Sequence, residues 1–294
     1  MPENRTSCIL CGGVSARTAA GYEDRKFLEC RRCGLIFAVP REVDAGIYDE
    51  SYYVGRKLQA GGELADRNFN RWVLDVLAGA VPGGGRLLDI GCGTGLLLEM
   101  GRERGWEISG VELSPWAARR AADRLGVPVR VSRLEDVPFP GEPFDAVTAI
   151  EVVEHTPDPV VFLKNVREMV KPDGALVLST PNAGSLFRTL QGKGWAHYKA
   201  GEHLQLFRTD SLKRLIRASG LRAVRFFYKH YYSAGHFLKM PSYVRSVEAG
   251  SGCGLLPGGS PIPAGAVRAA AKRFVVRYPG RYLSDNIVAL CRRA

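Results

Sequence analysis

Leu88-Asp89-Ile90-Gly91-Cys92-Gly93-Thr94-Gly95 is the stretch that decides the fold: an apolar run starting at Arg86 ends in G-x-G-x-G, and a helical pattern opens at Leu96. Glycines there let backbone approach a ligand where a Cβ would clash, and the first N–H groups of the following helix have no intrahelical partner. A dinucleotide-binding G-x-G-x-x-G uses the same geometry for pyrophosphate. Here the third glycine comes one residue early, and Asp89 stands just before the loop. A carboxylate at that place repels pyrophosphate but accepts bonds from an amino-acid ammonium.

Outward from this loop the chain alternates strands and helices. Strands are expected at 86–90, 107–112, 127–131, 144–150 and 175–180, and helices near 96–104, 115–125 and 159–170. A helix from Leu64 to Ala80, with Phe69, Trp72, Val73, Val76 and Leu77 at helical spacing, leads in and stops at Pro82-Gly83-Gly84-Gly85. Such alternation specifies an α/β fold with a doubly wound, mostly parallel, seven-stranded Rossmann-like sheet. After Pro181-Asn182 the pattern is irregular to about Arg208; then come a helix at 210–218, a strand at 221–228, an insertion at 231–280 and a last strand at 286–291. The expected domains are residues 1–40, a helical lead-in or substrate cap at 41–85, and the α/β domain at 86–294.

Ahead of these elements, Cys8, Cys11, Cys30 and Cys33 form C-x2-C-x18-C-x2-C, while Cys92, Cys253 and Cys291 stand alone. Two C-x2-C turns bring four thiolates together on one tetrahedral ion, which reads as zinc. Four sulfurs leave no open coordination position, so the metal is structural. Gly12-Gly13 and Gly34 are expected to supply the positive φ of these turns, and 26–28 and 35–39 the short strands of a zinc ribbon.

The chain has 294 residues, 46% hydrophobic and 24% charged, which excludes collagen-like, coiled-coil and wholly disordered classes. Its apolar runs are too short to cross a bilayer, and Met1-Pro2-Glu3-Asn4-Arg5 lacks the apolar core of a signal peptide, so a cytoplasmic protein is expected. The net charge of +11 is uneven: residues 1–185 hold 22 Lys/Arg against 26 Asp/Glu, and residues 186–294 hold 19 against 4. Two readings of the basic half stand side by side, a solvated face and a surface for an anionic partner.

The loop around Asp89 resembles the first motif of class I S-adenosylmethionine (SAM) methyltransferases, and the similarity runs from about Tyr48 to the last strand. The resemblance implies that Glu112, at the end of the second strand, holds the ribose hydroxyls, and that Leu134 and Glu135 lie in the adenine-binding turn. Cofactor contacts are implied for Asp89, Gly91, Cys92, Gly93, Gly95, Glu112, Leu113, Leu134, Glu135 and Ile150. Many relatives carry Gly-Asp where Ser132-Arg133 stand here.

Glu151-Val152-Val153-Glu154-His155 follows the fourth strand at the sheet edge where ligands of open α/β sheets bind. A single helical turn would put Glu151, Glu154 and His155 on one face. Thr180-Pro181-Asn182 and then His203 come later. This pattern resembles two methyltransferase groups, small-RNA 2′-O-methyltransferases and ubiquinone-biosynthesis O-methyltransferases, and the chain is identified as similar to the latter type. In the former, the matching residues bind a divalent metal beside the acceptor hydroxyl; in other relatives the histidine is structural or a base. The implied catalytic residues are Glu151, Glu154, His155 and His203, with or without a second divalent metal. The implied function is O-methylation of a hydroxyl on a small molecule, sugar or lipid precursor, with RNA methylation and non-catalytic SAM-fold binding as alternatives.

Residues 184–200, with Phe187, Trp195, His197 and Tyr198, have the composition of a flap over substrate or of an ordinary surface loop. A basic amphipathic helix is expected within the insertion around Val267, Ala271, Phe274 and Tyr278; such a helix packs on its own domain or lies on an anionic membrane surface.

Overall fold

The computed structural model describes residues 7–22, 25–41, 45–56, 62–132, 141–199, 201–229 and 284–294. Leu134, Glu135 and the expected helix of the 231–280 insertion lie outside the described residues.

The larger sheet has seven strands. They are β4 (Arg86–Ile90), β5 (Glu107–Glu112), β6 (Arg130–Val131), β7 (Phe144–Ile150), β8 (Val170–Pro181), β10 (Leu221–Lys229) and β11 (Asn286–Arg293), in the order β10-β11-β8-β7-β4-β5-β6. The pairs β4–β5, β4–β7, β5–β6 and β7–β8 are parallel, as the strand–helix alternation requires. Leu87, Leu88 and Ile90 on β4, and Ala175 to Leu178 on β8, are fully buried, which explains why these strands read as continuous apolar runs.

The helices are set by local chemistry. Pro115 opens α4 (Pro115–Leu125), Ser114 Oγ accepts from the Ala117 N–H, and Gly126 ends the helix. Asp158 caps α5 (Pro159–Met169) by accepting from the N–H groups of Val160 and Val161. By contrast, α3 (Leu96–Glu103) begins at Gly95 with no side-chain cap, so its first N–H groups are left for another partner. The lead-in helices are α1 (Glu50–Arg56) and α2 (Gly62–Ala80).

Within this sheet, β6 and β8 start away from where the sequence places them. The 127–131 segment forms a strand only at Arg130–Val131, because Pro128 offers no N–H and the strand is the sheet's edge. Conversely, β8 starts five residues early, where Val170 pairs with Phe144 before a register shift at Ala146.

A second, four-stranded sheet has the order β1-β2-β3-β9, from β1 (Ala16–Gly21), β2 (Lys26–Cys30), β3 (Ile36–Val39) and β9 (Gln205–Leu206). Neither β1 nor β9 was expected: A-R-T-A-A-G holds a single β-branched residue, Thr18, and no apolar alternation, and a two-residue strand has no period to read. Residues 184–199 include α6 (Leu186–Gln191) and a following 3-10 turn, and Phe187, Trp195 and Tyr198 are buried. α7 (Thr209–Ala218) completes the helices described here.

The chain divides into two compact units, one of residues 1–42, 180–212 and 227–288, the other of residues 43–179, 213–226 and 289–294. Among the described residues no helix is long and apolar enough to cross a membrane.

Candidate functional site

The glycine loop lies at the end of β4, and its glycines do different work. A Cβ on Gly91 would stand 2.6 Å from Val152 Cγ2, and one on Gly95 would meet Ala121 Cβ at 3.1 Å and Leu125 Cδ1 at 3.2 Å. Both therefore serve packing, Gly95 by letting α3 approach α4. At Gly93 the nearest atom would be Tyr53 Cε1 at 3.8 Å, so this backbone stays open to a ligand. Gly93 adopts φ +56° and donates its N–H to Glu112 Oε2 at 2.8 Å.

Glu112 ends β5 almost fully buried and is held from three sides. Besides Gly93, the Ser114 N–H donates to Oε1 at 2.8 Å, and the Tyr53 hydroxyl donates to Oε1 at 3.1 Å. Tyr53 stands on α1 and stacks on Trp116 at 5.7 Å. Burial, reinforced by the Glu112 charge, pushes the Tyr53 hydroxyl well above the ordinary range, so it acts as a donor. Sequence reasoning missed Tyr53; its only signal was the aromatic run Tyr48 to Tyr53.

Asp89 is buried at the end of β4 and accepts from Thr148 Oγ1 at 2.6 Å. Burial pushes its pKa up to about 7, against the Thr148 hydrogen bond and with a smaller contribution from Glu112. Burial likewise raises the Cys92 thiol, which marks it as a packing residue of the loop rather than a thiolate. Leu113 and Ile150 follow and close their strands half-buried.

Glu151, Glu154 and His155 do not share one helical turn. Glu151 has φ +55°, and its carboxylate accepts from Ser179 Oγ at 2.6 Å. The turn that follows is a short 3-10 segment, Val153–His155, bounded by Pro157 and Pro159. Glu154 is fully buried, with Oε1 3.9 Å from His155 Nε2. On the other side of the ring, Nδ1 of His155 is 3.0 Å from the Tyr48 hydroxyl.

His203 belongs to the other compact unit. Its Nδ1 lies 2.8 Å from the His197 carbonyl oxygen, and a carbonyl only accepts, so Nδ1 carries the proton and Nε2 is the basic nitrogen. The two rings stack at 6.0 Å, and burial, with a smaller effect of Lys199, lowers the pKa of His197 to about 4. The Thr180-Pro181-Asn182 motif has a packing use: buried Asn182 donates its side-chain amide to the Ser284 carbonyl and hydroxyl, and its backbone N–H to Asp285 O.

Cys8, Cys11, Cys30 and Cys33 converge, all four sulfurs within 4.8 Å of one another. Cys8–Cys33 is 3.5 Å and Cys11–Cys30 is 3.6 Å. Sulfurs about 2.3 Å from one tetrahedral ion would be roughly 3.8 Å apart, so the set fits a zinc ion. Each pair sits in a turn closed by a backbone bond, from the Gly12 N–H to Cys8 O and from the Gly34 N–H to Cys30 O. Gly12 and Gly34 take the positive φ expected of them; Gly13 does not, and instead clears space beside the Cys11 and Cys30 sulfurs.

A glycine cradle at the end of one parallel strand and a buried acid at the end of the next, on this seven-stranded sheet, define the class I SAM-dependent methyltransferase site. The family model described as a methyltransferase domain matches residues 63–225, and the chain belongs to that family. Among its relatives is a ubiquinone biosynthesis O-methyltransferase of Cereibacter sphaeroides, 38% identical over 150 residues, which are 47% of this chain and 61% of that protein. Another of the same description, from Azorhizobium caulinodans, is 44% identical over 102 residues, covering 33% of this chain and 40% of that one. The match thus spans less than two thirds of these relatives' length. The fold is also that of a SAM-dependent methyltransferase from Archaeoglobus fulgidus, with TM-score 0.59 and 18% identity over 82% of this chain and 99% of that one.

Proposed function

We propose that the chain is a cytoplasmic O-methyltransferase that moves a methyl group from SAM to a hydroxyl of a small molecule, sugar or lipid precursor. The observation that carries this reading is the 38% identity over 150 residues to the ubiquinone biosynthesis O-methyltransferase, beside the family match over residues 63–225 that holds the glycine loop. SAM, when bound, supplies an already activated methyl donor; the chain's task is then to hold the donor, align the acceptor and take up its proton.

In this reading Gly93 gives backbone access and Glu112 takes the ribose hydroxyls, with Tyr53 and the Ser114 N–H keeping its carboxylate in place. Asp89 lies close to the donor's amino-acid portion. Two imidazoles are candidate bases. His155 is oriented by Tyr48 on one nitrogen and by Glu154 near the other, and His203 presents a basic Nε2. Glu151 keeps the Glu154–His155 turn on β8 through Ser179 rather than acting on protons itself. The zinc held by the four cysteines is structural, and cytoplasmic conditions keep its thiols reduced.

The test is transfer of an isotope-labelled methyl group from SAM into a cell extract, with the products identified by mass. A methyl ether on a small hydroxyl compound is the expected product. Label on nitrogen or carbon would overturn O-methylation. Label on RNA, with binding that weakens steeply with salt, would assign the basic C-terminal half to RNA instead.

A further inference from the structure

Within the unit that carries the four cysteines, the metal-binding turns are built into the support of one side chain. The turn Cys30–Cys33, closed at Gly34, runs straight into β3. One edge of β3 pairs with β2; the other pairs with β9, through Ile36↔Leu206 and Phe37↔Gln205. The Ala38 N–H then donates to the Leu204 carbonyl at 2.9 Å, which seats the residue between His203 and β9.

Side chains repeat the connection. Glu29, adjacent to the ligand Cys30 and almost fully buried, accepts from Arg188 and Arg208 at 3.4 Å each. Arg208 lies directly against the second metal turn, its Cδ 3.2 Å from where a Cβ of Gly34 would be. On the other side of His203, Tyr198 packs on Phe27 of β2 at 5.2 Å between ring centres. A two-residue strand cannot hold its own register; β9 takes its register from β3, while Phe207 just beyond it is bridged to Asn182 and the His203 N–H donates to Lys199 O at 3.1 Å.

We infer that the four-cysteine site is a positioning device for His203: the metal fixes β3, β3 fixes β9, and the segment so held keeps the His203 ring on the His197 carbonyl, with Nε2 as its basic nitrogen. This rests on the reading of His203 as a candidate acceptor base. It gives the metal site a role in catalysis without contact with substrate, and makes Glu29 the residue that couples the two.

The experiment uses the full chain. Zinc is removed from the wild type with a mercurial and a chelator, and in parallel Cys30→Ser and Glu29→Gln are prepared. Three quantities are read besides turnover: amide exchange of Leu204 to Leu206, the ¹⁵N signature of the His203 tautomer, assigned with His203→Gln, and SAM affinity by calorimetry. Zinc loss is expected to speed exchange at Leu204 to Leu206 about tenfold or more and to erase the Nδ1–H signature. SAM affinity stays near wild type, because Gly93 and Glu112 belong to the other unit. Zinc-free protein that binds SAM while keeping both the protection and the tautomer overturns the inference. If zinc loss unfolds the chain, Glu29→Gln decides: with zinc retained, faster exchange supports the coupling, and unchanged exchange and tautomer overturn it. Failure of the base reading is separate: His203→Ala would turn over like wild type while the exchange and tautomer results stand.

Discussion

Gly93→Ala and Gly95→Ala place one methyl group two residues apart and should fail in different ways. Both glycines have positive φ, +56° and +84°, where an L residue costs about 1–2 kcal/mol. At Gly93 the new Cβ would meet nothing nearer than 3.8 Å, so about 1–2 kcal/mol is the whole folding penalty. At Gly95 it would enter a gap already closed by Ala121 and Leu125 at 3.1–3.2 Å, adding about 1–3 kcal/mol of overpacking for a total of about 2–5 kcal/mol. Ligand binding should reverse the order. On the proposed reading that the Gly93 backbone meets the cofactor, a clash of about 1–3 kcal/mol from the new methyl weakens SAM by roughly fivefold to 150-fold. Gly95→Ala, measured where it remains folded, should bind SAM within about threefold of wild type. Urea unfolding of the free protein and SAM calorimetry separate the two quantities. Wild-type SAM affinity in Gly93→Ala, or Gly95→Ala as stable as Gly93→Ala, would refute the assignment of one glycine to the ligand and the other to packing.

Purified without chelator, the protein should hold one zinc per chain by elemental analysis, and Cys11→Ser or Cys30→Ser should hold less than half as much. His155→Ala should lower turnover by about 10²–10⁴-fold if it is the base, with SAM affinity retained, and Tyr48→Phe should cost a smaller fraction; wild-type rates in both His155→Ala and His203→Ala would leave neither histidine catalytic. A chelator that leaves turnover intact while His155→Ala is inactive would show the base working without a second divalent metal. Asp89 has a folded pKa raised to about 7 from 3.8, so the folded state holds the extra proton. Its contribution is complete below about pH 4 and is lost as pH rises through 7, with a slope approaching about 1.4 kcal/mol per pH unit. Asp89→Asn should flatten that part of the stability profile of the SAM-free protein, and an unchanged slope would place the titration elsewhere.

Much of this protein is decided by residues close together in the chain. Arg86–Ile90, the G-x-G-x-G turn and α3 follow from one apolar run and three glycines, and α4 and α5 from Ser114-Pro115 and Asp158-Pro159, because strand period and helix capping are local physics. The two C-x2-C turns are local as well, and their meeting follows from the valence of one ion. Tertiary structure decided what depends on distant partners. Nothing near Gln205 and Leu206 says that they form a strand, since their hydrogen bonds go to Ile36 and Phe37 across most of the sequence. Tyr53 became the donor that holds Glu112 only when α1 was brought over β5, and Glu151 left the helical face because Ser179 of the neighbouring strand takes its carboxylate. The tautomer of His203 turns on one carbonyl six residues away. Periodicity and motif spacing record which surfaces must be buried; which polar group meets which is settled by the packing of elements, where a shift of an ångström makes or loses a hydrogen bond.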